Sequence, residues 1–527
     1  MKTSAEIVVS DIDHLGLVAG IIDEIGIVSI INSLIGEQAS EKVSPGQVVK
    51  AMIINGLGLV SAPLYLFSKF FEGKATEQLI GSGIKPEYLN DDRLGRVLDK
   101  LYLKGLSEIF VVIALGAAKK FKVSMQTAHL DASSFHVHGE YEAQLPQAVK
   151  ITYGYSRDHR PDLKQFIVDL ICSEDGDVPL FLRVADGNES DQAAFGNILC
   201  EFRKRLDLDA LMVADSALYS EANLQQIANL KWLTRVPLTI KKAQKLVGEL
   251  NSEDLVESIV PNYRWCEQST NYGGVQQRWL VVESKERQTS DLKRLSKNIQ
   301  KAETEALKKL RQLSEQTWAC IPDALKAAQK LSQQLKYYQL TELESLEVSN
   351  KSQEQSAYHS YRIMARLELK THVVAAEQQQ AGRFILATNV IDDQQLTNDE
   401  MVIKYKNQQA AERGFGFLKD PMFFTDSVFL KSPERIEALA LVMGLCLLVY
   451  TLAQRQLRQA LVAEDATVKN QLGKPTNQPT IRWIFQCFQA IHLLVIQGKQ
   501  QITNLNQQRQ RILSFFPSSC LRYYLLN

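Results

Sequence analysis

Three acidic residues, far apart in the chain, stand where a carboxylate needs a reason. Asp131 lies in Thr127-Ala-His-Leu-Asp-Ala-Ser-Ser-Phe135, inside a run with β-strand character. Asp215 ends the apolar run Ala210-Leu-Met-Val-Ala214 and leads through Ser216 into a helix. A charge at the end of a buried strand is costly unless something offsets it, and strand ends are where open α/β sheets place their sites. Glu412 belongs to the stretch Tyr405 to Lys419, where Tyr405, Gln408, Glu412 and Lys419 stand at offsets 0, 3, 7 and 14. On a helix turning about 100° per residue these four fall in a stripe roughly 60° wide. That face carries a phenol, an amide, a carboxylate and an ammonium in a column, which suits a polyanion beside a metal ion. Taken alone, such a column is equally a wet helix face; the two upstream aspartates give it meaning. Pro421 marks the expected stop. Gly414 and Gly416, each costing about 1 kcal/mol in a helix interior, predict irregular last turns.

If the two strands are neighbours, Asp131 and Asp215 converge, and Glu412 joins them from a helix packed alongside. Three oxygen ligands favour Mg²⁺ or Mn²⁺ and leave positions for water and phosphate. Two such ions about 3.5–4 Å apart activate an attacking oxygen and stabilise the leaving one, a recipe for in-line attack on a phosphodiester. No Ser/His/Asp or Cys/His arrangement and no phosphate-binding P-loop is evident. Asp186 competes for the second position, but Gly187-Asn188 behind it reads as a turn. His129, His136, His138 and His159 match no metal-ligand spacing; structural or DNA-facing roles are expected of them.

The elements that must position these acids follow from hydrophobic period. Residues 1–122 read as helical: Leu15 to Val28 recur at helical spacing, Ser44-Pro45 starts a helix, Asn90 caps one running to about Tyr102, and Leu106–Phe121 makes another. Residues 123–237 change rhythm. Strands are expected at Gln126–Phe135, Gln165–Cys172 and Val178–Val184, the last two joined by a hairpin through Glu174-Asp-Gly-Asp177. Helix Gln192–Arg205, strand Ala210–Ala214, helix Leu218–Ala228 and strand Lys231–Pro237 complete a mixed sheet with helices packed on it. Residues 238–384 interrupt that rhythm with strands at Tyr263–Trp265 and Gln277–Val282 and a helical hairpin, its first helix over Leu292–Leu313 and its second from about Pro322 to Tyr338. Trp265 and Trp279 read as strand core ahead of base-stacking groups. Residues 385–527 return with the Glu412 helix, an apolar helix over 434–458, and a last helix Gln507–Phe516 exposing Arg509 and Arg511.

The 527 residues carry 60 basic and 60 acidic side chains, but unevenly. Residues 401–527 carry 15 Lys and Arg against 7 Asp and Glu, whereas 121–237 with 385–400 carry 11 against 21. An acidic middle between basic flanks suits metal ions held within a polyanion-binding frame; unequal solubility needs among domains give the same pattern. Seven scattered cysteines without CxxC spacing indicate neither disulfides nor zinc and fit a reducing cytoplasm. No signal pattern opens the chain. The longest apolar run, Ala438–Ala453, is short for a membrane span and reads as a core helix, so no membrane partner is expected.

These residues resemble the DDE transposases of bacterial insertion sequences, in particular the group with a Y-(2)-R-(3)-E-(6)-K signature on the helix bearing the last acid. Here the signature reads Tyr405, Gln408 in place of the Arg, Glu412 and Lys419. His129-Leu-Asp-Ala-Ser133, Asp158-His-Arg-Pro-Asp-Leu-Lys164, Gly187-Asn-Glu-Ser-Asp191 and Val213-Ala-Asp-Ser216 are also similar to that group, and Tyr88–Arg96 to its N-terminal domain. The resemblance implies an RNase H-like α/β core, 123–237 plus 385–527, interrupted by the α+β insertion 238–384 and preceded by a helical domain, 1–122, for DNA-end binding or dimerisation. It implies Asp131, Asp215 and Glu412 as catalytic metal ligands for two Mg²⁺ ions, with Mn²⁺ able to substitute. It also implies cleavage at terminal inverted repeats, strand transfer into target DNA, a synaptic homodimer, and DNA contacts from Tyr405, Gln408 and Lys419. The place of work would be the bacterial cytoplasm, at the nucleoid. Gln408 removes a cation expected at phosphate, which bears on end binding and on a hairpin route. Rivals are an RNase H-like nuclease without strand transfer and a silent DNA-binding descendant.

Overall fold

The computed structural model describes residues 7–60, 62–205, 209–349, 359–420 and 430–526; Pro421 lies outside them. The chain divides into two compact units: one of residues up to Thr234 with Tyr272–Val275 and Lys404 onward, the other of Arg235–Asn271 and Gln276–Ile403.

The first unit opens with strand β1 (Ile7–Asp11), which pairs antiparallel with His492–Ile496, itself paired with Lys499–Thr503. The two ends of the chain thus share a small sheet. The helix expected across Leu15–Val28 is two, Leu15–Ile25 and Ile27–Ile35, because Gly26 takes the left-handed conformation between them (φ 88°). Helix Pro45–Gly56 starts with a complete capping box from Ser44 and Gln47. Asn90 caps Asp91–Lys104, and Leu106–Lys120 follows. Helix Ile27–Ile35 packs on the others, and Leu15–Ile25, Pro45–Gly56, Asp91–Lys104 and Leu106–Lys120 pack on the long helix Pro433–Ala463. That helix is long and apolar enough to cross a membrane, and two bent helix pairs would qualify if each counted as one span. Its most apolar window is 83% buried within the chain, so its apolar surface is already covered by protein.

The sheet of this unit has the order β4-β3-β2-β5-β6, from β2 (Thr127–Val137), β3 (Lys164–Ser173), β4 (Pro179–Ala185), β5 (Leu211–Ala214) and β6 (Lys231–Val236). β2, β3 and β4 are antiparallel neighbours; β5 and β6 run parallel to β2. Three antiparallel strands followed by two parallel ones, ordered 3-2-1-4-5, is the RNase H-like arrangement. Both faces are covered, which explains the almost unbroken burial of β3 and β5. On one face Phe181 of β4 meets Phe202 of helix Asp191–Arg205. On the other, helix Gln409–Leu418 lies over Leu170 and Cys172 through Gly414, and Gly444 brings the long helix against Leu182.

The second unit holds β7 (Val256–Glu257), β8 (Tyr263–Tyr272), β9 (Val275–Ser284), β10 (Tyr338–Ser349), β11 (His359–Leu369) and β12 (Arg383–Thr388). β12, β9, β8 and β7 are neighbours in that order, and β10 and β11 form a separate antiparallel hairpin. Helices Lys285–Glu315 and Ile321–Gln334 bury Leu295, Ala306, Leu313, Ala324 and Ala328 against Leu340 and Ile363 of that hairpin. The second helix stops short of Tyr338, because Tyr338 and Leu340 begin a strand whose alternate residues enter this core. Trp279 is fully buried, and Trp265 donates to Asp399 at 3.0 Å, so both serve packing. Arg509, expected in solvent, instead donates to the carbonyls of Cys487, Asn504 and Gln489.

Candidate active site

Asp131 sits midway along β2. Its partner across the antiparallel ladder is Leu170, and Phe135 stacks on its own partner, Phe166. Alternation therefore puts Asp131, Phe135, Leu170 and Cys172 on one face of the sheet. β5 pairs with β2 only as far as Leu130↔Ala214. The next residues on the two strands are Asp131 and Asp215, so parallel register alone delivers the two carboxylates side by side at the edge where β5 stops.

The electrostatics agree. Burial pushes the Asp131 carboxyl up to about 7; Asp215 and Asp191 push the same way, and Arg157 pulls it down. Burial also raises Asp191, opposed by Arg157 and reinforced by Asp215 and Glu189. Asp131 Oδ1 accepts from the Ala132 N–H (2.8 Å). Asp215 Oδ1 accepts from the Ala217 N–H (2.9 Å), and its carbonyl accepts from Thr234 of β6 (2.5 Å). Each side chain is thus oriented by backbone while its second oxygen has no protein donor among the described residues. Two hard oxygens in a half-buried, electronegative place fit a divalent cation. Among the described residues no three His, Cys, Asp or Glu side chains stand close enough to hold one.

Glu412 is exposed, in the first turn of helix Gln409–Leu418. Three observations fix that helix over the Asp131 face. Arg413 pairs with Asp177 of the β3–β4 turn through two contacts (2.6 and 2.7 Å). Phe415, one turn beyond Glu412, meets Phe135 at 6.5 Å. Lys419 stands 5.5 Å from the Phe135 ring and bonds Asp158 (2.7 Å). The expected single helix is broken: Tyr405 lies in the last turn of helix Asn398–Lys406, and Asn407-Gln408 form a turn. Asn407, a weak helix former, spends its amide on Glu174, which Lys404 also reaches. The glycine turns run helically through Leu418, because Gly414 is needed for close approach to Leu447, where a Cβ would sit at 3.3 Å. Gln408 precedes the helix without capping it, and Tyr405 is half-buried in the helix before.

The other candidates are occupied elsewhere. Asp186 accepts from the Lys150 N–H (2.8 Å) and holds a loop. His129 is fully buried and lowered to about 4 by burial; His136 meets Ser156 and Asp158. A cleft of about 930 Å³ lies on the other flank of the Glu412 helix, but its Arg413, Arg455 and Arg482 are paired with Asp177, Asp175 and Asp420. Sequence reasoning did not single out Arg157 and Asp191, which form an ion pair beside Asp131. The signal was there in Ser190-Asp191 opening a helix and Arg157 preceding the Asp158–Lys164 stretch.

No curated protein matches the chain. Among solved structures, the piggyBac transposase synaptic complex with hairpin DNA is similar at a TM-score of 0.37 and 9% identity, over 96% of this chain and 84% of that one; so distant a likeness carries no argument. Residues 7–115 match a domain of unknown function, DUF4277. Residues 124–450, which span β2 to the middle of the long helix and contain Asp131, Asp215 and Glu412, match the transposase DDE domain. The chain belongs to the DDE transposase family.

Proposed function

We propose that this transposase belongs to a bacterial insertion sequence, cuts DNA at the element's inverted-repeat ends and joins the freed 3′-hydroxyl to target DNA. Asp131, Asp215 and Glu412 are its catalytic acids, and two Mg²⁺ ions, replaceable by Mn²⁺, are what they hold. The observation that carries this is the juxtaposition of Asp131 and Asp215 by parallel register beneath the helix that bears Glu412. Asp131 and Asp215 form a fixed pair set by the backbone. Glu412 closes the set from its helix when DNA is seated. Divalent ions held by these acids would supply the positive charge that activates the attacking oxygen and stabilises the leaving one. Lys419, just past the end of the Glu412 helix, and Tyr405 and Gln408, before its start, contact the phosphate backbone and hold the cut end in line with the acids. Gln408 offers an amide where a guanidinium would grip phosphate in two places, so end binding leans on Lys419. The active form is a synaptic homodimer on two DNA ends in the cytoplasm.

The test is Asp215→Asn. Metal-dependent cleavage of a duplex carrying the element's end should disappear while duplex binding stays within about threefold. Unchanged cleavage would reject the assignment. Joining of pre-cut ends to target DNA separates a transposase from a nuclease that only cuts.

A further inference from the structure

The segment between β2 and β3 carries charges that the mechanism above does not use. It is anchored on the long helix, where Glu434 accepts the Gln144 and Leu145 N–H groups and Glu437 accepts that of Val149. A bridge between Thr152 and Gln165 closes its far end. Its tip is folded by Ser156, which bonds His136 and the Arg160 N–H. Two adjacent residues at the tip reach in opposite directions. Arg157 pairs with Asp191, beside Asp131 and Asp215, and Asp158 pairs with Lys419 on the Glu412 helix. The guanidinium therefore sits on Asp191 with its charge felt at Asp131, where a divalent cation would also be drawn. Asp158 meets Lys419 with a carboxylate, where a DNA phosphate would also be drawn.

We propose that Arg157 is a resident counter-cation of the catalytic carboxylates, displaced when a divalent ion binds, and that Asp158 masks Lys419 from phosphate in the same DNA-free state. This rests on the assignment of Asp131 and Asp215 as metal ligands. The protein's own loop mimics both ligands of the site. Once displaced, Arg157 presents a planar fork suited to the non-bridging oxygens of a phosphodiester, so the group that guards the site becomes one that holds substrate.

The test is Mn²⁺ binding to the full-length, metal-free protein, read by electron paramagnetic resonance of the free ion. Arg157→Gln should bind Mn²⁺ on the order of tenfold more tightly than wild type, since a nearby positive charge is gone. Arg157→Lys, which keeps the charge, should stay within about threefold of wild type. So should Arg160→Gln, which removes the same charge from the same loop at a surface pair with Asp162. Unchanged or weaker binding by Arg157→Gln, or an equal gain from Arg160→Gln, overturns the proposal. Asp215→Asn separates the two claims. If it loses Mn²⁺ while Arg157→Gln gains nothing, only the role of Arg157 fails; if it binds as wild type does, the ligand assignment itself fails. A measurement on the unmutated chain guards against a misfolded variant: Mn²⁺ should raise phenylglyoxal labelling of Arg157 and leave that of Arg160 unchanged. Labelling of Arg157 that does not respond to the ion refutes displacement.

Discussion

Replacing Asp131 with Asn should abolish metal-dependent cleavage and at the same time make the metal-free protein more stable. The Asp131 carboxyl is pushed up to about 7, first by burial and then by its acidic neighbours. Holding it ionised in the fold, when its unfolded value is near 3.9, costs about 4 kcal/mol if the whole shift is felt. The side chain is only half-buried, so about 2 kcal/mol is the sounder expectation. The sign follows from proton counting. Between about pH 4 and pH 7 the native state holds a proton that the unfolded chain has released, so the contribution to stability falls as pH rises and is fully lost above pH 7. Asn cannot ionise, and its carbonyl oxygen can still accept the Ala132 N–H. Urea unfolding of EDTA-treated proteins, followed by tryptophan fluorescence, should therefore show Asp131→Asn more stable than wild type by about 2 kcal/mol near pH 8, with the gap closing toward pH 4. Adding Mg²⁺ should stabilise the wild type alone. A variant less stable than wild type near pH 8 would show that the carboxylate is already well satisfied, and the argument for a cation there would collapse.

The DNA contacts and the packing of the chain ends make two further expectations. Gln408→Arg should tighten binding to end DNA several-fold and steepen its salt dependence by about one phosphate contact, while Lys419→Ala should do the reverse; band-shift titrations at several salt concentrations check both, and equal slopes for all three proteins would deny these residues a phosphate role. Gly20→Ala should destabilise the first unit by about 2 kcal/mol or more, because its Cβ would stand 2.4 Å from the Cys520 backbone; an unchanged melting temperature would mean that the C-terminal segment does not dock there.

How far the sequence could be read depended on how local each signal is. The aspartates were legible because an acid ending or interrupting an apolar strand is conspicuous within ten residues, and the order of strands and helices in 123–237 followed from the same short windows. The pairing that brings Asp131 beside Asp215 is a matter of register between strands some eighty residues apart; it could be conditionally expected but not deduced. The helix break at Asn407 was hidden because its cause, Glu174, lies across the fold. β1 was invisible for the same reason: it is a strand only by pairing with His492–Ile496. The β10–β11 hairpin did carry alternation at Tyr338 and Leu340, but the helical run before it masked the change of period. Arg157 and Asp191 gain meaning only from what surrounds them.

The central claim is that Asp131 and Asp215 hold divalent ions which Glu412 helps to close over. A structure of the protein with Mn²⁺ and a duplex carrying the element's end tests it most directly, through the anomalous signal of the metal. Peaks at about 2 Å from carboxylate oxygens of both aspartates, with Glu412 drawn in from its helix, are the predicted result. Metal bound away from that pair, or none beside the seated DNA, would contradict the account.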